Sequence, residues 1–111
     1  SDPLAVRDMA IMELLYGCGL RLSELINLNV KQVNWQGLTL NVTGKGRKQR
    51  LIPFGEKAAQ ALKNWIKKRE MYAAENEQAV FVSQRGTRIS ASSVQQRIKK
   101  WAKLKGLDRR L

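Results

Sequence analysis

Two cationic side chains lie beside glycines, where the backbone can approach a bound anion. Arg21 follows the segment Gly17-Cys18-Gly19-Leu20, and Lys45 lies between Gly44 and Gly46. An arginine guanidinium presents a planar fork of N–H donors that matches two oxygens of a phosphate. A lysine ammonium is a mobile point charge that can also give up a proton. The pair therefore suits chemistry at a phosphodiester.

Each motif also has an ordinary explanation. Glu24 lies three residues after Arg21, on a neighbouring helix face, so it could simply be the ion-pair partner of that arginine. The run from Gly44 to Lys48 could be a plain basic hairpin turn. It lacks the Gly-Lys-Ser/Thr ending of a nucleotide-binding P-loop, so no ATP or GTP site is predicted. Composition alone does not decide whether these motifs only contact phosphates or also take part in catalysis.

The balance of charge points to a polyanionic partner. The 111 residues include 21 Lys and Arg against 9 Asp and Glu, a formal net charge of +12. Such an excess is self-repelling in a folded domain and favours nucleic acid as the partner. The hydrophobic share of 43% is too high for a disordered basic tail, and the length allows one domain. Dispersed lysines on predicted helices have the simpler explanation of a solvated face.

Several classes of function are excluded by what the sequence lacks. Cys18 is the only cysteine and histidine is absent, so neither an internal disulfide nor a Cys/His metal site can form. Catalysis by Ser-His-Asp or Cys-His groups is excluded with them. No apolar run reaches the ~20 residues of a membrane span, and the first residues lack a signal-peptide pattern. We expect a cytoplasmic protein without a metal or other cofactor.

The apolar pattern predicts an α+β fold, mainly α-helical, with one small antiparallel β-hairpin or sheet. The first helix is so densely apolar that it is predicted to be buried on most sides. Alternation at residues 38–42 and 50–53 predicts a hairpin with a basic, glycine-rich tip, and residues 79–82 a short strand. The helices are predicted at residues 4–16, 20–26, 57–72 and from Ser90 to near Gly106.

The order of the two cationic motifs resembles the first half of the catalytic domain of tyrosine site-specific recombinases, the phage integrase family. The chain is most similar to the XerC/XerD branch, and the resemblance extends over essentially its whole length. It implies a bacterial, nucleoid-associated enzyme that cuts and rejoins DNA through a 3′-phosphotyrosine intermediate, in chromosome dimer resolution or DNA integration. The motifs are Gly19-Leu20-Arg21-Leu22-Ser23-Glu24-Leu25 and Gly44-Lys45-Gly46-Arg47-Lys48-Gln49-Arg50-Leu51-Ile52-Pro53.

The resemblance also implies roles for individual residues. Arg21 matches the first of two catalytic arginines, which binds nonbridging oxygens of the scissile phosphate, and Lys45 matches the hairpin lysine that protonates the departing 5′ oxygen. Glu24 matches an acidic residue that supports the active-site framework. Charge develops on these oxygens during phosphoryl transfer, so fixed donors and an acid lower the barrier. The remaining hairpin cations are expected to contact DNA: Arg47, Lys48 and Arg50.

The family's other catalytic residues have no match in the sequence. In the family, a His-x-x-Arg segment, a later His or Trp and the nucleophilic tyrosine follow this region, and a DNA-clamping helical domain precedes it. We therefore expect residues 1–111 to be a truncated catalytic domain that binds DNA without cleaving it alone. The parent would act in a tetramer with a second related recombinase on paired DNA sites. An apolar face left uncovered on the first helix would favour self-association of the fragment.

The tyrosines and tryptophans of the chain are predicted to pack rather than to act. Neither Tyr16 nor Tyr72 occupies the position of the family's nucleophile, and both are expected to be packing residues. The same is expected of the three tryptophans: Trp35, Trp65 and Trp101.

Two other classes of function stay open at this stage. One is a stand-alone basic module that binds nucleic acid without chemistry, in which Arg21 and Lys45 only contact phosphates. The other is a domain whose basic surface binds an acidic protein. Charge alone predicts the first of these as well as it predicts a recombinase.

Overall fold

The structure is a computed structural model that describes residues 2–106. The α-helices in this part are α1 (Pro3–Met12), α2 (Leu22–Asn27), α3 (Glu56–Arg69) and α4 (Ala91–Leu104). The strands are β1 (Val33–Asn34), β2 (Thr39–Thr43) and β3 (Gln49–Pro53), in an antiparallel sheet of order β1-β2-β3. The predicted class, mainly helical with a small antiparallel sheet, is confirmed.

The first predicted helix ends as a different kind of helix. α1 begins at its predicted cap, where Asp2 accepts a hydrogen bond from the N–H of Leu4 at 2.9 Å. From Glu13 to Gly17 the backbone widens into a π-helical turn, and Gly19 then takes a φ of +73°. Such turns inside helices occur often at functional sites. The turn ends at Gly17, and the chain then passes through Gly19 to the start of α2 at Leu22.

The π-helical turn also decides the position of Tyr16. Its side chain is 72% exposed, so the prediction that it packs in the interior is wrong. That prediction rested on the position of Tyr16 inside a densely apolar segment, and the wider turn changes the direction in which the side chain projects. The predictions for three other aromatic residues are confirmed: Trp65 is fully buried, Tyr72 packs against the core, and Trp35 packs edge to face on Phe54 at 5.9 Å. Trp101 is only partly buried, and its indole N–H donates to Asp8.

The hairpin has the predicted position and a third, unpredicted strand beside it. In β2, Leu40 and Val42 are fully buried, and their partners across the sheet are Ile52 and Arg50. This pairing sets the five-residue loop 44–48 at the tip. The added strand, β1, has two residues, which is too short for an alternating pattern to appear in the sequence.

The segment 79–82 is buried, but the predicted strand there is wrong, because its two middle residues form a bend. It forms isolated bridges, Asn29 to Ala79 and Val82 to Arg88, instead of a ladder. Side chains supply the donors that a neighbouring strand would have supplied. They are Arg69 Nε to the Ala79 carbonyl at 2.8 Å, Trp65 Nε1 to the Val80 carbonyl at 2.8 Å, and Arg7 Nη1 to the Val82 carbonyl at 3.2 Å.

A buried carboxylate joins α4 to α1. Asp8 is 1% exposed, and its Oδ1 accepts hydrogen bonds from Nε and Nη2 of Arg7 at 3.1 and 3.0 Å. Its Oδ2 accepts from Arg97 Nε at 2.7 Å and from Trp101 Nε1 at 3.0 Å. α4 begins after Ser90, which is its N-cap as predicted. The cap therefore holds the start of α4, and Asp8 holds its later residues Arg97 and Trp101.

None of the helices within residues 2–106 combines the length and apolar character of a bilayer crossing.

Gly86 is expected to be far less tolerant of substitution than Gly46, although both have positive φ values, +90° and +72°. A Cβ at Gly86 would lie 2.1 Å from the carbonyl oxygen of Tyr72, whereas a Cβ at Gly46 has no atom within 4 Å. Backbone strain alone costs about 1–2 kcal/mol, and forced repacking adds about 1–3 kcal/mol. Urea unfolding should therefore show Gly86→Ala losing at least twice the stability lost by Gly46→Ala. Equal losses would contradict the close approach at Gly86.

Candidate functional site

Arg21 is positioned through its main chain. It is the residue before α2, and its peptide N–H donates to Glu24 Oε1 at 2.9 Å, while its carbonyl accepts from the N–H of Leu25 at 3.0 Å. The residue is exposed, and the ion pairs formed among residues 2–106 do not include it. Glu24 therefore holds the backbone of Arg21 rather than neutralising its guanidinium, which leaves that group available for an anion.

Lys45 lies at the tip of the hairpin, in a closed loop. The N–H of Gly44 donates to the carbonyl of Lys48 at 2.8 Å, and the N–H of Arg47 donates to the carbonyl of Gly44 at 3.2 Å. Gly46 and Arg47 both adopt positive φ values, +72° and +62°. The side chains of the loop cations are exposed, so the loop presents several positive charges to solvent.

Glu24 connects the two motifs. Its carboxylate is 1% exposed and accepts a two-pronged hydrogen bond from Arg50, with Nε to Oε2 and Nη2 to Oε1 both at 2.8 Å. Gly44, next to Lys45, packs on the same carboxylate: a Cβ there would lie 3.5 Å from Oε2. One buried carboxylate thus binds the backbone of Arg21 and the side chain of Arg50, and it lies beside Gly44 at the start of the lysine loop. The structure brings the two sequence motifs together at this point.

The electrostatics of the site keep Glu24 ionised. The hydrogen bonds from Arg50 hold the pKa of Glu24 below its usual value, the N–H of Arg21 and the charges of both arginines act in the same direction, and burial opposes them. The pKa of Arg50 is raised in turn by Glu24. Because this pair is neutral as a unit, the uncompensated positive charge of the site comes from Arg21 and the loop cations.

The lowered pKa of Glu24 predicts a loss of stability in acid. A carboxylate whose folded-state pKa is depressed contributes stability above the unfolded-state pKa of about 4.3, and this contribution is lost as the pH falls through the folded-state pKa. Urea unfolding between pH 6 and 2 should therefore show a shallower pH dependence for Glu24→Gln and for Arg50→Met than for the unsubstituted chain. Glu77, whose pKa is lowered chiefly by the Ala79 N–H, keeps its contribution in every variant. An unchanged slope in Glu24→Gln would contradict the assignment.

The other predicted DNA contacts differ in how free they are. Arg47 and Lys48 are exposed beside Lys45. Arg50 is 46% exposed at its side chain, but its guanidinium is engaged with Glu24. Contact of Arg47, Lys48 and Arg50 with DNA stays a prediction. For Arg50 the geometry favours a structural role, since its guanidinium binds Glu24. The sequence had no signal for this pairing, since the two residues are 26 positions apart.

The arrangement can bind a phosphate and donate a proton to it. Arg21 offers a fork of donors on a fixed backbone, and Lys45 offers a charge on a long, flexible stem. Within residues 2–106, acidic and cysteine side chains are nowhere grouped in threes in a way that would hold a metal ion. Arg21 and Lys45 are residue types that suit phosphoryl transfer by hydrogen bonding and proton donation.

All of residues 1–111 match the model of the phage integrase family. The chain belongs to the phage integrase family. It is 50% identical, over its whole length, to the tyrosine recombinase XerC of Alcanivorax borkumensis, and 47% identical over 96% of its length to that of Shewanella amazonensis. It covers 36% of each, so the chain spans about a third of these relatives.

Solved structures agree with this assignment. The crystal structure of XerA recombinase superposes with a TM-score of 0.82 at 29% identity, covering 92% of this chain and 37% of that one. The XerH site-specific recombinase bound to its difH substrate superposes with a TM-score of 0.80 at 23% identity, covering 96% of this chain and 31% of that one. The second likeness shows the fold alone. The prediction of a recombinase of the XerC type, made from the two motifs, is confirmed at the level of the family.

Proposed function

We propose that this chain is the part of a site-specific tyrosine recombinase that holds the first half of the active site. The observation that carries the proposal is the Glu24 carboxylate, which binds the backbone of Arg21 and the hairpin of Lys45 at once. The likeness to XerC relatives at about half of all positions supports it. Because those relatives are about three times as long, the activity is proposed for a protein of their length.

In this proposal Arg21 and Lys45 act on the same phosphodiester. Arg21 donates to the nonbridging oxygens, where negative charge grows in the transition state. A tyrosine hydroxyl from another part of the whole protein loses its proton to solvent and attacks phosphorus, so a Tyr O–P bond forms and the P–O5′ bond breaks. Lys45 transfers its proton to the departing 5′ oxygen. In the rejoining step a 5′ hydroxyl gives its proton to Lys45 and attacks the phosphotyrosine, so the P–O5′ bond forms again and the Tyr O–P bond breaks. The released tyrosine regains its proton from solvent.

The partner proposed for this surface is a double-stranded DNA recombination site. Arg47 and Lys48 lie in the loop of Lys45 and are exposed, so they are placed to contact backbone phosphates next to the scissile one. By family likeness the whole protein would act with a second recombinase subunit, in a tetramer on two DNA sites. The proposed role is resolution of chromosome dimers or DNA integration.

A chimera tests the proposal directly. The 111 residues replace the matched segment of the Alcanivorax borkumensis XerC, and formation of a covalent protein–DNA complex is measured on that relative's recombination site. We expect the chimera to form the complex, and Arg21→Ala to lower the rate by at least about a hundredfold, as for other fixed oxyanion donors. Arg85→Ala, at an exposed arginine in the turn before Gly86, is the matched control and should react at the unsubstituted rate.

The outcome also separates the recombinase from the non-catalytic DNA-binding module. A folded chimera that binds DNA but forms no covalent complex would favour the module, in which Arg21 is only a phosphate contact. The same holds if Arg21→Ala reacts at the unsubstituted rate. DNA affinity that falls with log salt by about 0.9 per neutralised phosphate is expected from both functions, so affinity alone does not decide.

A further inference from the structure

α2 cannot hold its own orientation. It has six residues and is therefore about 9 Å long at ~1.5 Å per residue. Helices shorter than about 12 residues are marginal by themselves in water, so contacts with the rest of the protein must hold this one. Glu24 and Arg50 hold its N-terminal end. The position of Arg21, the residue before the helix, depends equally on what holds the other end.

Arg88 holds the C-terminal end of α2. Its Nη1 donates to the carbonyl of Ile26 at 2.8 Å and reaches that of Leu28 at 3.5 Å, and its Nη2 donates to Asn29 Oδ1. The last carbonyls of a helix have no partner within the helix, and the negative end of the helix dipole favours a cation. Arg88 is about 60 residues from these acceptors in sequence, so this cap is a tertiary contact.

Arg88 is itself held in place by the segment that follows α3. Glu77 accepts the N–H of Arg88 on Oε1 at 3.2 Å and the N–H of Ala79 on Oε2 at 2.9 Å. The N–H of Val80 donates to the Leu28 carbonyl at 2.9 Å, so the same segment also binds the chain just after α2. The backbone of Arg88 is therefore fixed relative to the C-terminal end of α2, and its guanidinium can cap the helix.

We propose that Arg88 is a positioning residue for Arg21: it fixes one end of α2 and so sets where the arginine at the other end projects. The expected effect of Arg88 on catalysis rests on the proposed function, whereas its effect on the position of α2 does not. The contact needs the arginine fork, because two donor nitrogens serve backbone carbonyls and a side-chain amide in different directions. A lysine ammonium places one point of charge there and cannot reproduce this geometry.

Amide hydrogen exchange on the 111-residue chain tests whether Arg88 holds α2 in place. In Arg88→Met we expect the N–H of Leu25, which is bonded to the Arg21 carbonyl, to exchange at least tenfold faster, while amides of the buried face of α3, such as Leu62, keep their rates. Arg85→Met, three residues earlier and exposed, is the control and should change neither. Unchanged exchange at Leu25, or an equal acceleration in α2 and α3, would overturn the proposal, because the second result means global destabilisation.

The XerC chimera tests the catalytic part. Arg88→Lys should lower the single-turnover rate of covalent complex formation at least tenfold while the Kd for DNA stays within twofold, and Arg85→Lys should change neither. An unchanged rate would overturn the positioning role even if the exchange result is as expected. If the unsubstituted chimera is inactive, the proposed function fails, and the exchange experiment still decides whether Arg88 holds α2.

Discussion

Replacing Lys45 with arginine is expected to lower the rate of DNA cleavage by the XerC chimera at least a hundredfold, with little change in DNA affinity. Arginine keeps the positive charge of the loop, so contacts with phosphates are retained. It does not give up its proton at any pH at which the protein is folded, so it cannot protonate the departing 5′ oxygen. A general acid typically contributes about 10²–10⁴-fold to the rate, and that factor should be lost.

The leaving group gives this experiment its sharpest control. A substrate with sulfur in place of the bridging 5′ oxygen departs as a thiolate and needs no proton, so Lys45→Arg should cleave it at close to the unsubstituted rate. Lys48→Arg, three residues away in the same exposed loop, should cleave both substrates normally. Cleavage of the oxygen substrate by Lys45→Arg at the unsubstituted rate would show that Lys45 is a phosphate contact and not the acid.

Replacing Asp8 with alanine is expected to cause the largest loss of stability among these variants. Asp8 is the buried acceptor for Arg7, Arg97 and Trp101, and Arg7 is itself almost fully buried. Removing one partner of a buried ion pair leaves an uncompensated charge in the interior, at a cost of about 3–5 kcal/mol. This is a large part of the 5–15 kcal/mol that typically stabilises a folded domain.

Urea unfolding of Asp2→Ala provides the matched comparison. Asp2 immediately precedes α1, is exposed and caps the helix, so its loss should cost about 1 kcal/mol. If Asp8→Ala does not fold, Arg97→Met gives a milder test, since it leaves Arg7 paired with Asp8 and should loosen α4 from α1. Equal losses in Asp8→Ala and Asp2→Ala would contradict the role of the buried carboxylate.

Local patterns were sufficient to predict most of the regular structure. The N-caps at Asp2 and Ser90, the hairpin and the amphipathic helices depend on residues within one or two turns of each other. The predictions that proved wrong concern segments whose structure is decided elsewhere. The π-helical turn exposes Tyr16, and three of the four carbonyls in the segment 79–82 accept hydrogen bonds from side chains of α1 and α3 instead of a neighbouring strand.

The amino-acid sequence by itself determined the helices, the hairpin, the two cationic motifs and the family to which they belong. The tertiary structure alone decided that Glu24 is shared between the backbone of Arg21 and the side chain of Arg50, and that Arg88 caps the far end of α2. The physical reason is range. Periodicity and capping act between neighbours in the chain, whereas a buried charge is stabilised by whichever donors the packed fold brings within hydrogen-bonding distance.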